Sequence, residues 1–178
     1  RYITATIYAG KKAAGGRNAL TNRTLISGVE VADVAAKINA ALSEAYGLSA
    51  DSSVSLSGGL AGYIQSFPER LMCKAPYVPD KWHVCRFLSS KGSPVKAEDV
   101  LKKLESIDET GDMTGLSEDA AKVYRLWKGN PKIFDPWARD DYLGCCQEAM
   151  NSHYYAPRFG KYANRFKKVT VAMLSMVR

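Results

Sequence analysis

VEVADVAAKINAALSEAY, residues 29–46, is the stretch that decides the fold. Val31, Val34, Ile38, Ala41, Leu42 and Ala45 recur at intervals of three and four. That period lays apolar side chains along one stripe of an α-helix, and Gly47 follows as a stop signal. Upstream the period changes. RYITATIYA, residues 1–9, sets Tyr2, Thr4, Thr6 and Tyr8 against Ile3, Ala5 and Ile7, the two-residue alternation of a half-buried strand. Near the other end, Val169, Val171, Met173 and Ser175 alternate with Thr170, Ala172 and Leu174, so residues 168–177 read as a closing strand.

Between these ends helix dominates. Ser93-Pro94 opens a helix to about Ile107, with Val100, Leu101 and Leu104 on its apolar face. Ser117 caps the next, which carries Val123, Leu126 and Trp127. Further helices are expected over residues 60–73, broken or restarted near Pro68, and over residues 137–153. Trp82 to Leu88 reads as a short strand, and Lys11 to Asn22 as a loop around Gly15-Gly16. The Ser/Gly-rich residues 49–59 read as a flexible connection within one domain. The fold expected is α+β and mainly helical, with short strands near the two termini as candidates to pair with one another.

The chain has 178 residues, 46% hydrophobic and 24% charged, a composition that builds a core without staples. No apolar run approaches the ~18 residues that cross a bilayer, so the chain is not expected to span a membrane. It opens at Arg1, as a processed or trimmed product would. The net charge of +7 is unevenly spread. Residues 1–88 hold ten basic and six acidic side chains, residues 89–121 four and eight, and residues 122–178 eleven and four. A basic surface calls for an acidic partner: nucleic acid, an anionic membrane or an acidic protein.

Catalysis and metal binding find little support. There is no C-x-x-C, and the only histidines are His83 and His153, so zinc is not expected. Cys85 with His83, or Cys145 with His153, lacks a nearby orienting group or oxyanion donors, and no enzyme is expected. Asp108, Thr110 and Asp112 mimic the first ligands of a calcium loop. Met113 stands where that loop needs Gly and Asp119 where it needs Glu, so a polar helix–helix linker is the better account.

Two cysteine segments share a grammar. Glu69 and Arg70 precede Cys73 by four and three residues, and Asp141 precedes Cys145 by four, with Arg139 nearby. On a helix each acid would share a face with its thiol. A covalently held linear tetrapyrrole needs such a set: a thiol for the thioether, a carboxylate for the pyrrole N–H groups, Arg for the propionates and aromatic walls. Tyr77 and Trp82 would wall the first site, Tyr142 and Trp137 the second. Cys85 would supply a separate site or a second bond to the pigment on Cys73, and Cys146 is a further anchor candidate. The bland alternative is that these thiols are small core hydrophobes. A rival role lies in the tract Arg158, Phe159, Lys161, Tyr162, Arg165, Phe166, Lys167, Lys168, where bases and aromatics interleave as on surfaces that stack single-stranded nucleic acid.

With its basic balance, residues 69–76 and 141–146, and the tail from Tyr155 to Tyr162, the chain resembles the red-algal phycobilisome linkers of the pigment-bearing phycoerythrin gamma type. The resemblance implies a non-enzymatic antenna linker carrying covalent bilin, phycoerythrobilin or phycourobilin, on Cys73 and Cys145. It also implies a light-harvesting place in the chloroplast, on the stromal face of the thylakoid, inside rings of acidic phycobiliprotein subunits and beside other linkers. Arg158, Phe159, Tyr162 and Arg165 would then anchor the contact.

Overall fold

The computed structural model describes residues 2–14, 17–89 and 95–139, together with Tyr142, Gly144 and Cys145. It is a mixed α+β chain whose longest elements are helices of 11 to 14 residues, against strands of three to five. Length alone favours one domain; the described residues gather into two compact units. The first is built from residues up to Val54 together with Phe67–Ala75, the second from Ser55–Ser66 and Pro76–Cys145.

The first unit is a ribbon held by one helix. Strand β1 (Ile3–Ile7) continues into β2 (Gly10–Ala14), and β3 (Arg17–Thr21) returns into β4 (Thr24–Gly28). β1 pairs antiparallel with β4, from Ile3 opposite Gly28 to Ile7 opposite Thr24, and β2 with β3, from Gly10 opposite Thr21 to Ala14 opposite Arg17. The loop expected over residues 11–22 is therefore a second hairpin arm. The arms meet at an irregular step, where the Ala9 N–H donates to Thr21 O at 3.0 Å and Asn22 takes φ +47°. Asn tolerates that left-handed backbone better than most residues do.

Helix α1 (Val31–Glu44) lies within the expected bounds and buries Val34, Ala35, Ile38 and Leu42; Ile3 and Ile26 of the ribbon are buried too. Each such aliphatic side chain contributes about 1.5–3 kcal/mol on full burial. β4 comes so near the helix start that a Cβ at Gly28 would lie 2.8 Å from Val34 Cγ2 and from Asp33 Oδ2. The helix stops at Gly47, at φ +64°. Just before it, the Tyr46 hydroxyl reaches the ribbon's step and bonds Ile7 O at 3.1 Å, Thr24 Oγ1 at 3.2 Å, and Asn22 O.

Residues 52–58 are not a free connection. Lys74 N–H donates to Ser52 O at 3.1 Å and Val54 N–H to Lys74 O at 2.8 Å. In the second unit, β5 (Leu56–Gly58) runs parallel to β6 (Tyr77–Pro79). The short helix α2 (Gly62–Gln65) packs against β5, where a Cβ on Gly58 would meet Ile64 Cγ2 at 2.8 Å. The helix expected over residues 60–73 is thus reduced to α2 and one 3-10 turn at Pro68–Arg70.

Helix α3 (Lys81–Phe87) replaces the strand expected at residues 82–88. Its N-cap Asp80 accepts the His83 N–H at 3.0 Å, and Val84 and Leu88, one turn apart, are buried. Helices α4 (Val100–Thr110) and α5 (Glu118–Gly129) follow, the second capped by Ser117 Oγ, which accepts the Ala120 N–H at 3.1 Å. Val84, Leu88, Val100, Leu104, Ile107, Val123, Trp127 and Phe134 form the core. Between α4 and α5, Asp108 takes a hydrogen bond from Tyr124 at 2.6 Å and pairs with Lys128 at 2.7 Å. Of the stretch 108–115 expected to link two helices, Asp108, Glu109 and Thr110 belong to α4, and this carboxylate ties the two helices together. After a 3-10 turn at Asp135–Ala138 the chain is extended at Arg139 (ψ 142°) and left-handed at Gly144 (φ +69°). The described part of the helix expected at 137–153 therefore holds only the end of that 3-10 turn and no α-helix. The remainder of that helix and the closing strand at 168–177 lie outside the described residues. No helix among the described residues is long and apolar enough to cross a membrane.

Candidate functional site

The first cysteine segment is shaped by Pro68 and by a side chain of α1. Pro68 starts the 3-10 turn, which leaves Glu69 and Arg70 exposed, and Leu71 then turns extended (φ −89°, ψ 145°). The Asn39 amide grips the extended piece at two points. Its Nδ2 donates to Arg70 O at 3.0 Å and its Oδ1 accepts the Met72 N–H at 2.9 Å. Cys73, directly after this clamp, is only 6% exposed. Acid and thiol therefore do not share a helical face, which corrects the geometry expected for Glu69, Arg70 and Cys73. Tyr77 and Trp82, the expected walls, belong to the second unit.

Cys85 sits on α3, half-buried, and burial pushes its thiol above the usual range despite the lowering influence of Lys81. A protonated thiol is a poor nucleophile. In the second cysteine segment, Arg139 is exposed, Tyr142 and Cys145 are half-buried, and Asp141 and Cys146 lie outside the described residues. So do Arg158, Phe159, Tyr162 and Arg165.

The carboxylate beside Cys145 is Asp80, which the sequence reading did not single out. It is 7% exposed, and its Oδ1 lies 2.6 Å from His83 Nδ1 while also capping α3. Burial pushes Asp80 up. The hydrogen bonds from the His83 ring and backbone, the attraction of that imidazole and the Cys145 backbone N–H together outweigh burial and hold it below the usual carboxylate range. Around it stand two phenols. Tyr77 donates to Gly59 O at 2.8 Å and is pushed far up by burial, then by Asp80 and Cys145. Tyr142 is raised mainly by burial; its hydroxyl and that of Ser57 are buried near one another without hydrogen-bond geometry. Trp137 closes the group, its indole N–H donating to Pro79 O at 3.0 Å. The sequence reading found no group to orient His83, and Asp80 is such a group: one ionised carboxylate holds the imidazole and caps α3, with phenols around it. No cluster of three or more metal-ligating side chains occurs among the described residues.

A different chemistry runs along the ribbon. Residues 1–29 contain no Asp or Glu, yet they hold Arg1, Lys11, Lys12, Arg17 and Arg23. Three of these fall on the outer arm: Lys11 opposite Leu20, Lys12 opposite Ala19 and Arg17 opposite Ala14. Lys12 and Arg23 are exposed.

Comparison with known proteins places this α+β chain in a family. The model of the uncharacterised protein family UPF0236 matches residues 3–128, from β1 nearly to the end of α5, and the chain belongs to that family. No curated protein and no solved structure matches it. The matched region takes in the ribbon, Cys73, Asp80, His83 and Cys85, and ends before Arg139 and Cys145.

The Asn39 clamp sets an expectation for Cys73. Asn39→Ala leaves the Met72 N–H and Arg70 C=O without their partner and costs about 1–3 kcal/mol in a denaturation experiment. Alkylation of Cys73, followed by peptide mass, then accelerates severalfold; an unchanged rate would show that the clamp does not guard the thiol. Asp80 gives a pH signature. A carboxylate held below its ordinary range stabilises the fold above its unfolded value, and that contribution is lost as pH falls through the folded one. Asp80→Ala therefore lowers the melting temperature clearly at neutral pH and less at a pH well below the ordinary carboxylate range, toward which the wild-type carboxylate loses its charge. An equal deficit at both pH values contradicts this.

Proposed function

We propose that this chain binds nucleic acid, with the β1–β4 ribbon and the basic–aromatic tract from Arg158 as its contact elements. The observation that carries the reading is that the first 29 positions hold five cations and no acidic residue, and that the described ones among them form the β1–β4 ribbon. Lysines also guard exposed strand edges, a need that does not exclude acids from the rest of the segment. Here every charge is positive, the pattern that a polyanion rewards through release of its counterions. The role is one of binding; the side chains around Asp80 serve the fold.

Affinity for a labelled single-stranded oligonucleotide should fall linearly on a log–log plot against salt, by about 0.7 per phosphate contact. The triple variant Lys11→Ala, Lys12→Ala, Arg17→Ala should flatten that slope by about 2 at unchanged melting temperature. Absence of binding at low salt, or an unaltered slope, would overturn the reading.

A pigment-bearing linker is the second reading, favoured by the half-buried Cys145 beside an ionised carboxylate, with Tyr142 and Trp137 in the same unit. Its cofactor would be a thioether-linked bilin, its partners acidic phycobiliproteins and its place the chloroplast. The denatured chain would then absorb visible light, and Cys145→Ala would remove one band. A colourless chain with the mass of its sequence excludes it.

A further inference from the structure

Trp82 is 55% exposed, the most exposed large hydrophobic side chain among the described residues. It is held in place. It is the second residue of α3, two after the Asp80 cap, so its backbone is fixed by the helix start. The His83 ring meets its indole edge-on, with centroids 5.0 Å apart and planes at 89°. Arg86, one turn along, lays its guanidinium 5.0 Å from the indole centroid. Lys81 adds a cation at the same helix start, while the nearby acid, Asp80, is committed to His83.

From this arrangement we propose that Trp82 and Arg86 form a stacking platform for an unpaired base of a nucleic-acid strand, with Arg86 and Lys81 meeting its phosphates. The proposal rests on the nucleic-acid reading above and names the strand state that the second unit recognises. A single exposed indole is common on protein surfaces; what marks this one is that the His83 edge and the Arg86 guanidinium fix its orientation while more than half of it stays open. A guanidinium already stacked over it supplies a cation beside the aromatic, the combination that single-strand sites use. A duplex offers its bases only along their edges, so an isolated exposed indole favours unpaired bases.

The test compares oligothymidine with an abasic strand of equal length, by anisotropy and by tryptophan fluorescence. Wild-type protein should bind oligothymidine with quenching that disappears in Trp82→Phe, and Trp82→Ala should weaken binding by about tenfold or more, since each stacked base contributes a factor of that order. The salt slope should stay the same, and binding to the abasic strand should be equal for Trp82→Ala and wild type. Trp82→Phe should keep most of the affinity. If Trp82→Ala binds oligothymidine like wild type while the ribbon triple variant does not, the platform is refuted and the nucleic-acid reading stands. If neither strand binds wild-type protein, that reading itself falls and takes the platform with it. If strand binding is unaffected but Trp82→Ala abolishes self-association in sedimentation, the indole is a protein contact and the platform is likewise refuted.

Discussion

The Tyr46 hydroxyl, meeting Ile7 O, Asn22 O and Thr24 Oγ1 at one point, is the contact on which the first unit depends. No described sheet has more than two strands. Two-stranded ribbons are marginal in water, because a single ladder leaves half the backbone groups to solvent and offers little area to bury. Such a ribbon becomes stable only when a helix covers it. Val34, Ile38 and Leu42 of α1 give the apolar cover over one end, and Tyr46 fixes the other end of the same helix at the place where the ladder is interrupted. Gly28 completes the arrangement by admitting the helix at van der Waals distance. Asn39 extends the principle to Arg70–Met72, where an amide takes the place of a neighbouring strand.

In the second unit the same shortage of strands is met differently. β5 and β6 are parallel and three residues long, too short to stand by their ladder alone. Asp80 follows β6 at once, donates its own N–H to Gly58 O, and caps α3, so strand end and helix start are one structure. Trp137 and Tyr77 add bonds to the backbone at Pro79 and Gly59. One buried residue therefore links sheet and helix, its N–H in the sheet and its carboxylate on the cap, and the hydrogen bonds that keep that carboxylate ionised are those that give the cap its strength.

How much of this was legible depended on whether the signal was local. α1, α4 and α5 were visible because an apolar stripe is written into each segment, although α4 begins at Val100, after a 3-10 turn at Ala97–Asp99, and not at Ser93-Pro94; β1 was visible because its alternation persists for seven residues. α3 was misread: Trp82, His83, Val84, Cys85 and Phe87 favour strands by type, and the decisive facts were the Asp80 cap and the Val84–Leu88 spacing. The outer arm was missed because Lys, Ala and Asn are weak strand formers, although Gly15-Gly16 between two runs of equal length is a hairpin signature. Asn39 was beyond reach, since its partners lie more than thirty positions away. Glu69 and Cys73 matched the helical spacing of an acid–thiol pair, yet Pro68 allowed only one tight turn before the chain straightened.

That last difference bears on function. Cysteines are conspicuous in a sequence because they are few and reactive, but reactivity is decided by surroundings. Cys73 is packed away and Cys85 is held protonated, and in such settings a thiol behaves as a small apolar group. The ribbon shows the opposite. None of its cations carries a motif, yet an antiparallel ladder brings Lys11, Lys12 and Arg17 onto one narrow arm with no acid in its sequence to neutralise them. Like charges gathered on a thin arm raise the local potential and oppose folding unless an anion relieves them. On the reading proposed above, the phosphates of a nucleic-acid strand are that anion, and they need no pocket to reach cations set on a narrow two-stranded arm.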